Sequence, residues 1–100
     1  MSWFVYILRC SDGSYYTGHT EDPEARLRVH NSGKGPSYTA ARRPVVLRYA
    51  ESHPSKEAAV QRERRLKKWS RAKKQALING DTATLKEMSK CRNPSAGRSK

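Results

Sequence analysis

At 100 residues the chain has room for one domain around a single modest core. Lys and Arg outnumber Asp and Glu by 21 to 9, a formal net charge of +12, which excludes indifference to polyanions and makes nucleic acid or an anionic membrane surface the first partner to consider. The 2 cysteines, Cys10 and Cys91, exclude a disulfide framework and a four-ligand zinc site, and no apolar run reaches the ~18 residues of a membrane span. A reducing, cytoplasmic setting follows by elimination, and the few large apolar side chains of residues 56–75 disfavour a basic membrane helix, so no membrane partner is expected.

Trp3-Phe4-Val5-Tyr6-Ile7-Leu8 is an aromatic and β-branched run of strand length. Ser11-Asp12-Gly13 predicts a turn, and Tyr15-Tyr16-Thr17 a second strand. Two hairpin registers are open at this point. A two-residue Asp12-Gly13 turn puts Tyr6 and Tyr16 on opposite sheet faces. A three-residue loop with Gly13 left-handed sets Leu8 opposite Tyr16 and Tyr6 opposite Gly18, so both tyrosines share a face.

Asp22 before Pro23 reads as an N-cap with proline at the first helical position, predicting a helix to about Asn31. Residues 31–43, with Gly33, Gly35 and Pro36, read as a flexible loop. Pro44-Val45-Val46-Leu47-Arg48-Tyr49 predicts a third strand. Ser55 caps a long helix through about Trp69, and Ser70 caps another ending at Asn79-Gly80. A short helix is expected over 81–89. Residues 1–90 then form a single domain, and 91–100 a disordered basic tail with little to bury. The order β-β-α-β-α-α predicts an α+β fold, a small three-stranded sheet flanked by helices.

The charge is uneven. Residues 1–55 carry seven basic and five acidic side chains, whereas 56–100 carry fourteen and four. An unpaired basic face of this kind repels itself unless phosphates neutralise it. One acid is out of place within it. On a helical wheel Ala59, Val60 and Leu66 bracket Glu63, in a helix that also carries Arg62, Arg64, Arg65, Lys67 and Lys68. A local pair with Lys67, four residues on, would account for it. So would a divalent ion, held by the carboxylate under a basic rim with phosphate oxygens completing its shell. Arg26 and His30 lie four apart, on one face of the first helix. His19, Lys34, Tyr38 and Thr39 are further candidates for the same site.

Together these residues resemble the GIY-YIG nuclease superfamily, in its small stand-alone bacterial form. The two tyrosine motifs are Val5-Tyr6-Ile7 and Tyr16-Thr17-Gly18. Arg26, His30 and Gly33-Lys34-Gly35 follow in order, and Glu63-Arg64-Arg65-Leu66-Lys67-Lys68-Trp69 matches the helix that bears the family's metal-binding glutamate. Phe4 and Val5 stand where glycine and isoleucine are common, and Asn79 is the one candidate for an asparagine that many members carry downstream.

The resemblance implies an antiparallel three-stranded sheet and endonucleolytic hydrolysis of phosphodiesters, in DNA rather than RNA. It implies one divalent ion, Mg²⁺ or Mn²⁺, on Glu63, and no small-molecule cofactor. Tyr6 or Tyr16 would orient and deprotonate the attacking water, Arg26 would stabilise charge on the phosphate, and His30 would position the site or relay a proton. His19, Lys34, Tyr38, Arg42, Arg43, Arg64, Lys67, Lys68, Lys73 and Lys74 would contact nucleic acid. Because both tyrosines must then face one pocket, the three-residue hairpin loop is the expected register. The alternative is a non-catalytic basic protein that binds nucleic acid on the same fold.

Overall fold

Trp3–Arg9 forms β1, whose β-branched and aromatic side chains are buried on both faces from Val5 to Leu8. Tyr15–Thr20 forms β2 and Val46–His53 forms β3. Both pair antiparallel with β1, giving the sheet order β2-β1-β3. These assignments come from a computed structural model, which describes residues 2–80. The helix expected over 81–89 and the tail from 91 lie outside the described residues. Residues 1–68 make one compact unit, and a second begins at Trp69.

The hairpin adopts the three-residue loop. Leu8 pairs with Tyr16 and Tyr6 with Gly18, and Cys10 N–H bonds the Ser14 carbonyl at 2.8 Å. Gly13 sits at φ +85°, a conformation that costs glycine nothing and other residues considerably more. Tyr6 and Tyr16 therefore share a face.

Helix α1 (Pro23–Asn31) begins as expected, with the Asp22 carboxylate accepting from Ala25 N–H at 3.1 Å. It covers the tyrosine face, where Leu27 packs against Tyr6, Leu8, Cys10 and Val45. The glycine-containing segment is more ordered than a flexible loop. Ser37–Ala40 form α2, one turn of helix. The side chain of Asn31 also pairs with both backbone groups of Val45, at 2.9 and 2.8 Å. That clamp occupies the polar groups of Val45, so β3 starts at Val46, later than expected. It runs on to His53 because β1 offers partners as far as Trp3.

Helix α3 (Lys56–Lys67) is capped by Ser55, which accepts from Ala58 N–H. It lies on the sheet face opposite α1. The residues it meets there, Glu51 and His19, flank Val5 on the side of β1 that alternates away from Tyr6. Ala59 and Leu66 are fully buried, as the apolar stripe required. In the second unit α4 (Arg71–Ile78) is capped by Ser70 and followed by Gly80 at φ +70°.

Candidate active site

The Tyr6 side chain crosses β2 above Gly18 and ends on His30 of α1, with its hydroxyl 3.0 Å from Nε2. His30 Nδ1 in turn lies 2.7 Å from the Thr39 hydroxyl, which donates to the Pro36 carbonyl at 3.1 Å. With the Thr39 hydrogen so committed, its oxygen accepts from His30 Nδ1–H. The Nε2 lone pair is then left to accept from Tyr6. Tyr6 is 2% exposed and His30 and Thr39 are fully buried, so the row is closed to water along most of its length. Thr39, a secondary candidate in the sequence, is the residue that fixes the tautomer.

Burial pushes the Tyr6 hydroxyl's pKa up, and the charges of Tyr16 and Glu63 add to this; the Arg26 guanidinium beside it pulls the other way. Burial and the same guanidinium hold His30 below its ordinary range. The proton of the pair therefore rests on Tyr6, with His30 neutral. Tyr16, half-buried, meets the His30 ring edge-on at 5.2 Å and stacks with Tyr38 at 6.2 Å.

Glu63 approaches from the other sheet face, around the β2 edge. Its Oε1 accepts from His19 Nδ1 at 2.5 Å and its Oε2 from Lys67 Nζ at 2.8 Å. The local Lys67 pair thus exists, and His19 adds a partner forty-four residues away that no local pattern could reveal. The Lys67 bond and charge on Glu63 in turn raise the pKa of the Lys67 ammonium. Arg26 stands at the same edge and pairs with no carboxylate among the described residues. Beside it runs an open cleft of ≈ 450 Å³, lined by Trp3, His19, Thr20, Asp22, Arg26 and Lys56 among others.

Among the described residues no group of three or more His, Cys, Asp or Glu side chains is arranged to hold a metal ion. One carboxylate with an adjacent imidazole still fits a small hard cation. Mg²⁺ keeps several waters and takes its remaining oxygens from substrate phosphates rather than from an all-protein cage.

The basic candidates divide. Arg64 and Lys67 are exposed on α3, Lys68 is exposed just past its end, and Lys34 is exposed before α2. Arg42 is engaged: its guanidinium lies 4.0 Å over the Tyr38 ring and its Nε donates to Asp12 at 3.0 Å. Arg43 donates to the Ala40 carbonyl from an exposed position. Lys73 and Lys74 belong to the second unit with Asn79. Lys73 is 7% exposed, its ammonium 4.3 Å over the Trp69 ring, so a cation expected at the surface is drawn inward by cation–π attraction.

The GIY-YIG catalytic domain model matches residues 2–76. The chain belongs to the GIY-YIG family. It is 53% identical over 74 residues to a UPF0213 protein of Halobacterium salinarum, covering 74% of this chain and 96% of that one. A UPF0213 protein of Streptococcus sanguinis is 52% identical over 79 residues, 79% of this chain and 91% of the relative. Among solved structures, the solution NMR structure of a UPF0213 protein from Bacillus halodurans superposes with a TM-score of 0.52 at 46% identity, covering 81% of this chain and 86% of that chain. That of an E. faecalis protein gives 0.56 at 40%, covering 80% and 85%. The α+β fold of a three-stranded antiparallel sheet with flanking helices is thus shared with the GIY-YIG relatives. Family membership brings the general chemistry of the nuclease superfamily, in which a nucleic acid is the substrate and a divalent metal is generally required.

Proposed function

We propose that this chain is a cytoplasmic, divalent-metal-dependent endonuclease that hydrolyses phosphodiester bonds in DNA. The observation that carries this reading is the closed row from Tyr6 through His30 to Thr39, ending beside Arg26 at the strand edge where Glu63 stands.

In this reading Tyr6 is the base. Its oxygen takes a proton from the attacking water as its own proton passes to His30 Nε2. The Nδ1–H bond to Thr39 steadies the imidazolium that forms. A free phenolate is then never needed, which matters for a buried phenol of raised pKa. Tyr16, packed on His30, holds the imidazole in line. Arg26 meets the phosphate oxygens where charge develops. Glu63, oriented by His19, would hold Mg²⁺ or Mn²⁺. When bound, such an ion supplies Lewis-acid charge to the phosphate and the leaving oxygen. The leaving oxygen takes its proton from solvent. Lys34, Arg43, Arg64 and Lys68 supply positive charge along the approaching strand.

Nicking of supercoiled plasmid in Mg²⁺ or Mn²⁺ tests the reading, with RNA run alongside. Glu63→Ala should lower the rate by at least about a hundredfold. Equal nicking by wild type and variant would assign the activity to another site or to a contaminant. A second reading, binding without cleavage, draws on the surplus of fourteen basic over four acidic residues beyond position 55. Salt-sensitive binding with no metal-dependent cleavage on any nucleic acid would favour it.

A further inference from the structure

We propose that Lys67 is a placeholder for the cation at Glu63, and that it yields the carboxylate when a nucleic-acid phosphate takes its ammonium. The inference rests on the metal-nuclease reading and concerns how that site is regulated.

The two oxygens of Glu63 are divided between two partners. His19 holds Oε1 at 2.5 Å and the Lys67 ammonium holds Oε2 at 2.8 Å. The Glu63 side chain is only 13% exposed, whereas that of Lys67 is 52% exposed. A cation reaching Oε2 must therefore displace an ammonium from a carboxylate largely shielded from water. An ordinary exposed pair at this spacing would be too weak to matter. Here the acid is shielded and the lysine head is open to solvent on a flexible stem.

A competition follows. In the free protein the ammonium and a divalent ion contend for the same oxygen. A phosphate entering between Arg26 and Tyr16 offers Lys67 another anion and frees Oε2, while His19 keeps Oε1 in position. Metal and nucleic acid must then raise each other's affinity by the same factor. The free protein stays poor in metal, and the site is completed on the substrate.

Mn²⁺ binding to the full chain, read from the electron paramagnetic resonance of the free ion, tests this without reference to cleavage. In the absence of nucleic acid, Lys67→Met should tighten Mn²⁺ binding about tenfold. Arg65→Gln removes an equal charge from an exposed position on the same helix and should change it by about twofold at most. A DNA oligonucleotide with a phosphorothioate backbone should tighten Mn²⁺ binding about tenfold in the wild type and have little effect in Lys67→Met. Circular dichroism checks each fold, with Lys67→Gln in reserve should the methionine variant fail to fold.

Unchanged or weaker Mn²⁺ binding in Lys67→Met overturns the proposal. So does equal tightening by Arg65→Gln, which would reveal a general field effect. Loss of Mn²⁺ binding in Glu63→Gln, with no effect of Lys67→Met, removes the placeholder and leaves the nuclease reading standing. Retention of wild-type affinity in Glu63→Gln removes both.

Discussion

A Cβ added to Gly18 would lie 2.5 Å from the Tyr6 hydroxyl oxygen, and one added to Gly35 would lie 2.9 Å from His30 Nδ1. Two missing side chains thus make the space in which the Tyr6–His30–Thr39 row closes. Gly18→Ala should cost about 1–3 kcal/mol through overpacking, read as a lower urea midpoint. A midpoint equal to wild type would show that Tyr6 has room to move aside. The row also predicts a pH dependence. His30 has a folded-state pKa depressed below 6.5 by burial and by Arg26, so the unfolded chain binds the extra proton more readily. The contribution is present above pH ~6.5 and is lost as pH falls through the folded value. Denaturant titrations from pH 7 to 5 should show stability falling with pH, and His30→Gln should flatten that slope. A second acid-side loss belongs to Glu51. Burial pushes its carboxyl up, but hydrogen bonds from Tyr49, His53 and Arg62 together bring it below 4.5, so its contribution is present above that value and declines at lower pH.

Among the elements, α1 is pinned by one side chain to Val45, the residue just before β3. Asn31 makes the bonds that a neighbouring strand would have made to Val45, one accepted and one donated. Asn31→Ala leaves a buried backbone residue without partners and should cost about 1–3 kcal/mol. Hydrogen exchange at the Val45 amide should accelerate with it, and an unchanged rate would mean another group takes over. The one-turn helix α2 depends on tertiary contacts in the same way. Four residues are too few to hold a helix alone. The Thr39–His30 bond and the Arg42 stack over Tyr38 hold this one in place. The same element therefore supplies the acceptor that orients His30 and the ring that stacks on Tyr16.

On the scale of the molecule, the charge of +12 and the exposed cations of α3 imply an electrostatic contribution to binding. The logarithm of affinity for duplex DNA should fall linearly with the logarithm of salt concentration. Replacing Arg64 and Lys68 together by Glu should weaken binding and lower the magnitude of that slope by about 1 for each phosphate no longer neutralised. A slope untouched by both changes would place the bound phosphates elsewhere on the protein. The described residues include no helix long and apolar enough to cross a membrane.

Local patterns in the chain determined the three strands, the caps at Asp22, Ser55 and Ser70, and the position of Glu63 in an apolar stripe. Each of these is written in a repeat of two or 3.6 residues or in a single capping side chain. The ordered motifs from Tyr6 to Glu63 determined the family, and the family's need for two tyrosines on one face chose between two hairpins that the residues left open. Only the tertiary structure decided that Glu63 meets His19, that Thr39 sets the His30 tautomer, and that Glu51 gathers Tyr49, His53 and Arg62. Most of these partners lie on different elements, and their meeting depends on how strands and helices pack around β1. Periodicity states which face a residue takes; it carries no distance to a residue on another element.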